Sequence, residues 1–342
     1  MDSASVTRSS AAPAGVRPAA AGSTPTSIFI YAHLDPAGID LLNSALPANG
    51  VFFADKNGPE GVRDDYLRRF CESEICFGNV PAEWLPTAPR LRWLQLESIG
   101  FEYYRHLHGS LPSLTITNLK GLFDRPAAET ALAGLLALLR GVDALVPAQA
   151  AHRWVCLEVR PRMRLLHGRR VIILGHGSIG RKLRRLIEAF DCRVLSYART
   201  ANDAELRTPA ELDRALPHAD IVACCLPDTP ETRGFFGGTR LASLPPHAVF
   251  VNIGRGSLVD ESALVEALLA HRIGGAVLDV TAQEPLPADH ALWTCPNTLL
   301  MQHTGGGYDG ELLDKARAFL ANFAAFQNGE PLVNVVDLAR GY

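Results

Sequence analysis

A four-residue apolar run, Val171, Ile172, Ile173 and Leu174, leads straight into Gly175-His176-Gly177-Ser178-Ile179-Gly180, and a helical pattern follows over residues 181–190. Nothing else in the chain restricts its fold so tightly. Each glycine meets a separate steric demand. The first permits a tight turn, the second lets backbone approach a pyrophosphate, and the third allows the helix to pack closely on the strand. The helix N-terminus then offers N–H groups and the positive end of its dipole to an anion. The segment therefore predicts a dinucleotide site at the carboxyl edge of a parallel sheet, with Gly175, Gly177, Ser178, Ile179 and Gly180 as contacts. His176 fills a variable place in the pattern and reads as an exposed loop histidine.

The strand-then-helix rhythm runs through the whole chain. Further strands are expected at 193–197, 221–226, 248–252, 275–279 and 298–301, which with the first make a complete doubly wound sheet. Upstream, short β-rich runs at 27–31, 51–54, 75–77, 93–96 and 114–117 predict a second parallel α/β sheet. Residues 127–140 are rich in Ala and Leu and apolar on most faces. Such a helix should be buried, in a core or in a subunit interface, and Gly141 suits its C-cap. A helix at 311–327 leads to Leu332-Val333-Asn334-Val335-Val336, which is expected to return to the first domain.

Composition removes several function classes. The 342 residues carry a net charge of -3, so there is no basic field for nucleic acid or an anionic membrane. The longest apolar stretch, 131–139, is stopped by Arg140 and is far below the ~18 residues of a membrane span. Seven cysteines without a Cys-x-x-Cys pair point to a reducing compartment, here the cytoplasm, and His and Cys never approach zinc-finger spacing, so no metal site is expected. Residues 1–26 are dominated by Ala, Ser, Pro, Thr and Gly, with Asp2 as the sole acid. They read as a disordered tail, since they bury too little apolar area to offset ordering entropy. A transit peptide is the alternative, because Arg8 and Arg17 sit in a Ser-rich, acid-poor context.

The end of the second strand bears on the cofactor. An NAD site usually places an acid about 20 residues beyond the glycine loop, bonded to the ribose 2′-hydroxyl. Eighteen residues after Gly180 this chain has Ala198, followed by Arg199 and Thr200. A guanidinium fork suits a 2′-phosphate, so NADP(H) is the expected cofactor, with NAD as the alternative.

Three side chains near the C-terminus complete the chemistry. Arg255 lies in Asn252-Ile253-Gly254-Arg255-Gly256, Glu284 in Asp279-Val280-Thr281-Ala282-Gln283-Glu284-Pro285, and His303 in His303-Thr304-Gly305-Gly306. Reducing a 2-oxo acid needs a guanidinium to hold the carboxylate, an imidazole to move the proton, and a carboxylate to orient the imidazole. These motifs, with the glycine loop and Leu226-Pro227-Asp228-Thr229-Pro230-Glu231-Thr232, occur in the order found in the D-isomer-specific 2-hydroxyacid dehydrogenases. The chain resembles that family over residues 27–337, and within it the glyoxylate and hydroxypyruvate reductases. The resemblance implies that Arg255 binds the substrate, that His303 is the acid and base, and that Glu284 is its partner. It also implies cofactor contacts from Leu226, Pro227, Ile253, Gly254, Asp279, Gly305 and Gly306, and substrate contacts from the backbone of Ser98, Ile99 and Gly100.

The resemblance further implies a layout. A flavodoxin-like substrate domain, residues 27–118 plus 305–342, would be interrupted by a Rossmann cofactor domain, 119–304. Hinges at the crossings would close the cleft, and the chain would form a homodimer through the cofactor domain. The chain departs from the family in three places. Gln302 replaces the usual Pro before the histidine, Thr304 the usual Ile after it, and Thr130 stands where relatives often carry His. A different class also stays open, a dinucleotide-sensing protein like the corepressors that resemble this family.

Overall fold

A computed structural model describes residues 26–58 and 62–339. Apart from Thr26, the segment read as a tail or transit peptide lies outside the described residues. The chain forms two compact units. One combines the described residues up to Leu119 with Leu312–Val336, and the other combines Lys120–Glu311 with the described residues from Asp337 onward.

The first unit holds β1 (Ile28–Tyr31), α1 (Pro36–Ala45), β2 (Val51–Phe53), α2 (Arg63–Cys71), β3 (Ile75–Gly78), β4 (Trp93–Gln95) and β5 (Thr115–Thr117). All five strands are parallel, in the order β2-β1-β3-β4-β5. This is the flavodoxin-like order. The central strands β1 and β3 are buried almost end to end, as strands covered on both faces must be. Asp35 begins α1 by accepting a hydrogen bond from Gly38 N at 2.7 Å, with Pro36 in the first turn where its missing N–H costs nothing.

The C-terminal helix of the chain covers one face of this sheet. Its Phe319 ring stacks on Phe77 and Trp93 at centroid separations of 4.7 and 5.2 Å. A buried polar chain fastens the same contact. Trp93 Nε1 donates to Thr117 Oγ1, Thr117 Oγ1 donates to Gln95 Oε1, and Asn322 Nδ2 donates to the same oxygen, at 2.8, 2.8 and 2.9 Å. Val335 forms an antiparallel bridge with Thr117, so the 332–336 segment returns to the first sheet as expected.

The second unit holds α3 (Asp124–Leu139), α4 (Val142–Ala150), α5 (Cys156–Val159), β6 (Arg170–Leu174), α6 (Ser178–Glu188), β7 (Arg193–Tyr197), α7 (Pro209–Ala215), β8 (Ile221–Cys224), α8 (Gly238–Ser243), β9 (Val249–Asn252), α9 (Glu261–Leu269), β10 (Gly275–Leu278) and β11 (Thr298–Leu300). The covering helix of the first unit is α10 (Glu311–Asn328). The six strands are parallel in the order β11-β10-β9-β8-β6-β7. Leu206 adds a single parallel bridge to Tyr197, where a Rossmann fold places its next strand. The chain reverses its direction of winding between β6 and β8, and the glycine loop follows β6 there.

Two expectations about helices need correction. The helix expected at 127–140 starts earlier, at Asp124, because Pro126 sits in the first turn where a proline is tolerated. It is not buried on all sides: Ala128, Ala131, Leu135 and Leu138 belong to the core that α3 forms with α6, β9, β10 and β11, while Glu129 and Ala133 face solvent. Gly141 does end it, in the left-handed conformation at φ 70. The helix after the glycine loop begins at Ser178, since Gly177 itself serves as N-cap.

Candidate active site

The loops at the carboxyl ends of β6, β8, β9 and β10 carry most of the expected residues, which is where open α/β sheets bind ligands. In the glycine loop, Gly175 takes φ 109, a left-handed value that favours glycine. A Cβ on Gly180 would stand 2.0 Å from the Gly175 carbonyl oxygen, whereas one on Gly177 would meet nothing within 4 Å. The third glycine is thus required by packing, and the second leaves an open approach to backbone. Ser178 turns its hydroxyl away, donating to Asp124 Oδ1 at 2.8 Å, so only its backbone N–H is left to face an anion.

Neighbouring loops approach one another with little room. A Cβ on Gly254 would lie 2.6 Å from the Leu226 oxygen, and one on Gly256 would lie 1.9 Å from the Thr281 oxygen. Ile253 N donates to Cys224 O at 3.0 Å, which continues the β9 ladder into this loop. Arg255 leaves the same loop and donates from Nη1 to Gly254 O at 2.7 Å. Because Gly256 packs on Thr281, the Arg255 loop and the Glu284 loop are built against each other.

Glu284 and His303 meet directly. His303 Nδ1 and Glu284 Oε2 are 2.5 Å apart, and Glu284 Oε1 accepts from Thr281 N at 3.0 Å. Both carboxylate oxygens are therefore fixed, and the imidazole ring is oriented with Nε2 left for a ligand. The histidine is held from behind as well. Its backbone N donates to Asp279 O at 2.6 Å, and Thr304 Oγ1 donates to Met301 O at 2.6 Å. Gln302 and His303 both adopt left-handed backbone, at φ 55 and 57. Proline is confined to negative φ, so the usual Pro before the histidine could not occupy position 302 in this conformation.

Asp279 bonds to the segment after His303. Gly305 N donates to its two oxygens at 3.1 and 3.2 Å, and a Cβ at Gly305 would stand 2.5 Å from Oδ2. Burial pushes the Asp279 carboxyl above the ordinary carboxylate range, with the His303 ring and the Gly305 N–H pulling the other way. Gly306 rests on Phe123, whose ring would be 2.9 Å from an added Cβ. Beside the pair opens a cavity of about 400 Å³, walled by Leu286, Trp293, Leu300 and Gln302 as well as Glu284 and His303.

A model of the D-isomer specific 2-hydroxyacid dehydrogenase NAD-binding domain matches residues 132–305. The chain belongs to this family. It is 33% identical over 266 residues to a glyoxylate/hydroxypyruvate reductase B of Pectobacterium carotovorum, covering 76% of this chain and 83% of that protein. It is 32% identical to a glyoxylate reductase of Aeropyrum pernix, over 91% of this chain and 95% of the relative. Among solved structures it is similar to an NADPH-dependent glyoxylate/hydroxypyruvate reductase of Sinorhizobium meliloti in complex with NADP and sulfate. There the TM-score is 0.77 with 25% identity, covering 93% of this chain and all of that one.

Within this 2-hydroxyacid dehydrogenase, Ser98, Ile99 and Gly100 lie in the first unit, after β4. Ser98 Oγ donates to Gly100 O at 2.8 Å and accepts from Asn79 Nδ2 at 3.1 Å, while Asn118 Nδ2 donates to Ile99 O at 2.8 Å. The backbone of this loop is thus held by side chains from two other loops. Just before it, Glu97 is nearly fully buried and pairs with Lys56 and with His33 N at 2.9 Å.

One expectation about the glycine loop is overturned. His176 is not an exposed loop histidine: it is 8% exposed, and Nε2 lies 3.3 Å from Asp203 Oδ2. Sequence reasoning also missed Asp203 itself. The signal was an acid 23 residues beyond Gly180, within reach of the rule that led to Ala198. Arg199 and Thr200 are exposed at the end of β7, as a cofactor contact requires.

Proposed function

We propose that the chain is an NADPH-dependent reductase of small 2-oxo acids, of the size of glyoxylate or hydroxypyruvate. The observation that carries this reading is the 2.5 Å contact between His303 and Glu284, which fixes a general acid with one ring nitrogen free. The second unit would be the cofactor domain and the first the substrate domain. The open approach at Gly177 and the loops tightened at Gly180, Gly254 and Gly305 fit a dinucleotide lying along the carboxyl edge. Gly175, Gly177, Ser178, Ile179 and Gly180 would hold its pyrophosphate by backbone. Arg199 and Thr200 would hold the 2′-phosphate, and Leu226, Pro227, Ile253, Gly254, Asp279, Gly305 and Gly306 the nicotinamide half. When bound, the cofactor supplies the hydride.

The remaining work belongs to the protein. Arg255 binds the substrate carboxylate and 2-oxo group, with the backbone of Ser98, Ile99 and Gly100 as further donors. His303 protonates the 2-oxo oxygen from Nε2 and takes the proton back in the reverse direction. Glu284 stabilises the protonated ring. The seven free cysteines support a reducing, cytoplasmic setting. Val142, Leu145, Val146, Trp154, Leu157 and Leu165 are large, apolar and exposed, and they support a homodimer joined through this region of the second unit.

The test is turnover of glyoxylate and hydroxypyruvate with NADPH. His303→Ala should lower kcat by about a hundred- to ten-thousandfold, the usual contribution of a positioned acid, with NADPH binding retained. Near-normal turnover in that variant would exclude the mechanism.

A further inference from the structure

The loop after β7 is tied to α6 by two guanidinium–carboxylate rungs. Arg181 and Arg184 are three residues apart on the helix and so share a face, and Asp203 and Glu205 alternate along the loop. Arg181 holds Asp203 with both terminal nitrogens, at 2.5 and 2.9 Å. Arg184 holds Glu205 at 2.7 and 3.0 Å. The rungs differ in what else they touch. Glu205 accepts from Ser196 N at 2.8 Å, a contact back to β7. Asp203 reaches the glycine loop instead, at His176 Nε2, and Arg181 Nε donates to His176 O at 3.1 Å. The His176 side chain is 4% exposed, and its Nδ1 has no partner among the described residues. Asp203 thereby joins the glycine loop, α6 and the loop carrying Arg199 and Thr200. At this corner the Arg181 and Arg184 forks are taken, whereas Arg199 pairs with no described acid.

We propose that Asp203 is a specificity-determining positioning residue. Locked between Arg181 and His176, it sets the Arg199–Thr200 loop against the glycine loop for a ribose 2′-phosphate, and is itself withheld from the ribose 2′-hydroxyl. The inference rests on the NADP reading above. An acid in this part of a Rossmann fold ordinarily accepts from the 2′-hydroxyl and selects NAD. Here both of its oxygens are occupied by a planar fork, which also neutralises a charge that would oppose a phosphate. Exposed ion pairs stabilise folds little, so the effect of Asp203 belongs in ligand choice rather than in melting temperature.

Equilibrium titration of the full-length protein with 2′,5′-ADP and with ADP separates the ideas without relying on turnover. Wild type should prefer 2′,5′-ADP. Asp203→Asn should weaken 2′,5′-ADP roughly tenfold, equivalent to about 1.4 kcal/mol, and leave ADP within about twofold. Asp203→Glu should recover part of the loss, and Glu205→Gln should leave both ligands near wild type. The same split should appear in KM for NADPH against NADH, with kcat unmoved. Unchanged or tighter 2′,5′-ADP binding in Asp203→Asn overturns the proposal. So does an equal loss of both ligands, or the same loss in Glu205→Gln. A wild type that does not distinguish 2′,5′-ADP from ADP removes the NADP reading itself, and this inference with it.

Discussion

At the scale of single residues, the reactive groups were the most legible part of the chain. Arg255, Glu284 and His303 each sit in a local signature, and the structure joins Glu284 to His303 through one carboxylate oxygen while Thr281 N holds the other. Partnerships formed across loops were not legible. His176 and Asp203 are far apart in sequence, and nothing in either neighbourhood announces that they meet. Glycine roles were readable in kind but not in degree. Gly180→Ala would place a Cβ 2.0 Å from backbone oxygen that cannot swing aside. Overpacking of this sort costs about 1–3 kcal/mol, so the variant should melt lower than wild type and lose dinucleotide binding together. Glu97 gives a prediction in pH. Burial alone would push its carboxyl up, but the charge and hydrogen bond of Lys56, with the N–H of His33, carry it below the ordinary carboxylate range. A depressed folded-state value means stability that is present above the unfolded value of ~4.3 and lost as pH falls through and below it. Glu97→Gln should therefore lower the melting temperature at neutral pH and flatten its decline in acid. An acid decline as steep as that of wild type would show that this pair contributes nothing.

At the scale of elements, β-rich runs located each described strand of both sheets, and central strands such as β3, β8 and β9, buried on both faces, carry an unbroken hydrophobic signature. Helix starts were less legible. Pro126 and Gly177 look like breaks in a one-dimensional pattern, yet a proline in the first turn and a glycine N-cap are both compatible with a helix. Pairing partners of α10 were also invisible, since they depend on side chains brought from residues more than two hundred positions away. Gln95 and Asn322 meet at 2.9 Å, and Phe319 fills the space between Phe77 and Trp93. Phe319→Ala would empty a fully buried site and should cost about 3–5 kcal/mol. Denaturant unfolding followed by circular dichroism should report it as a lower midpoint, with the glycine loop of the other unit unaffected in ADP binding. A midpoint equal to wild type would show that α10 does not anchor the first sheet.

At the scale of the whole molecule, the sequence places the second crossing between domains at 304, while residues through Glu311 cluster with the second unit. The reason is local. Gly305 N is bonded to the Asp279 carboxylate, which holds the segment after His303 to the strands that carry it. No single described helix is long and apolar enough to cross a membrane. The exposed apolar side chains are spread unevenly over the described residues. Among the described residues, six of the thirteen large ones fall between Val142 and Leu165. Val142, Leu145 and Val146 stand at spacings of three and four on α4, so they share one face. Trp154 and Leu157 follow in the same excursion at 93% and 83% exposure. Monomers seldom leave such a concentration uncovered, whereas a stable homodimer must bury roughly 800 Å² on each partner. The α3 helix, the other sequence candidate for an interface, already spends its apolar face on the second sheet. Sedimentation of the wild type should accordingly give a dimer, and the double variant Trp154→Asp, Leu157→Asp should sediment as a folded monomer with unchanged circular dichroism. A double variant that remained dimeric would move the interface elsewhere on the molecule.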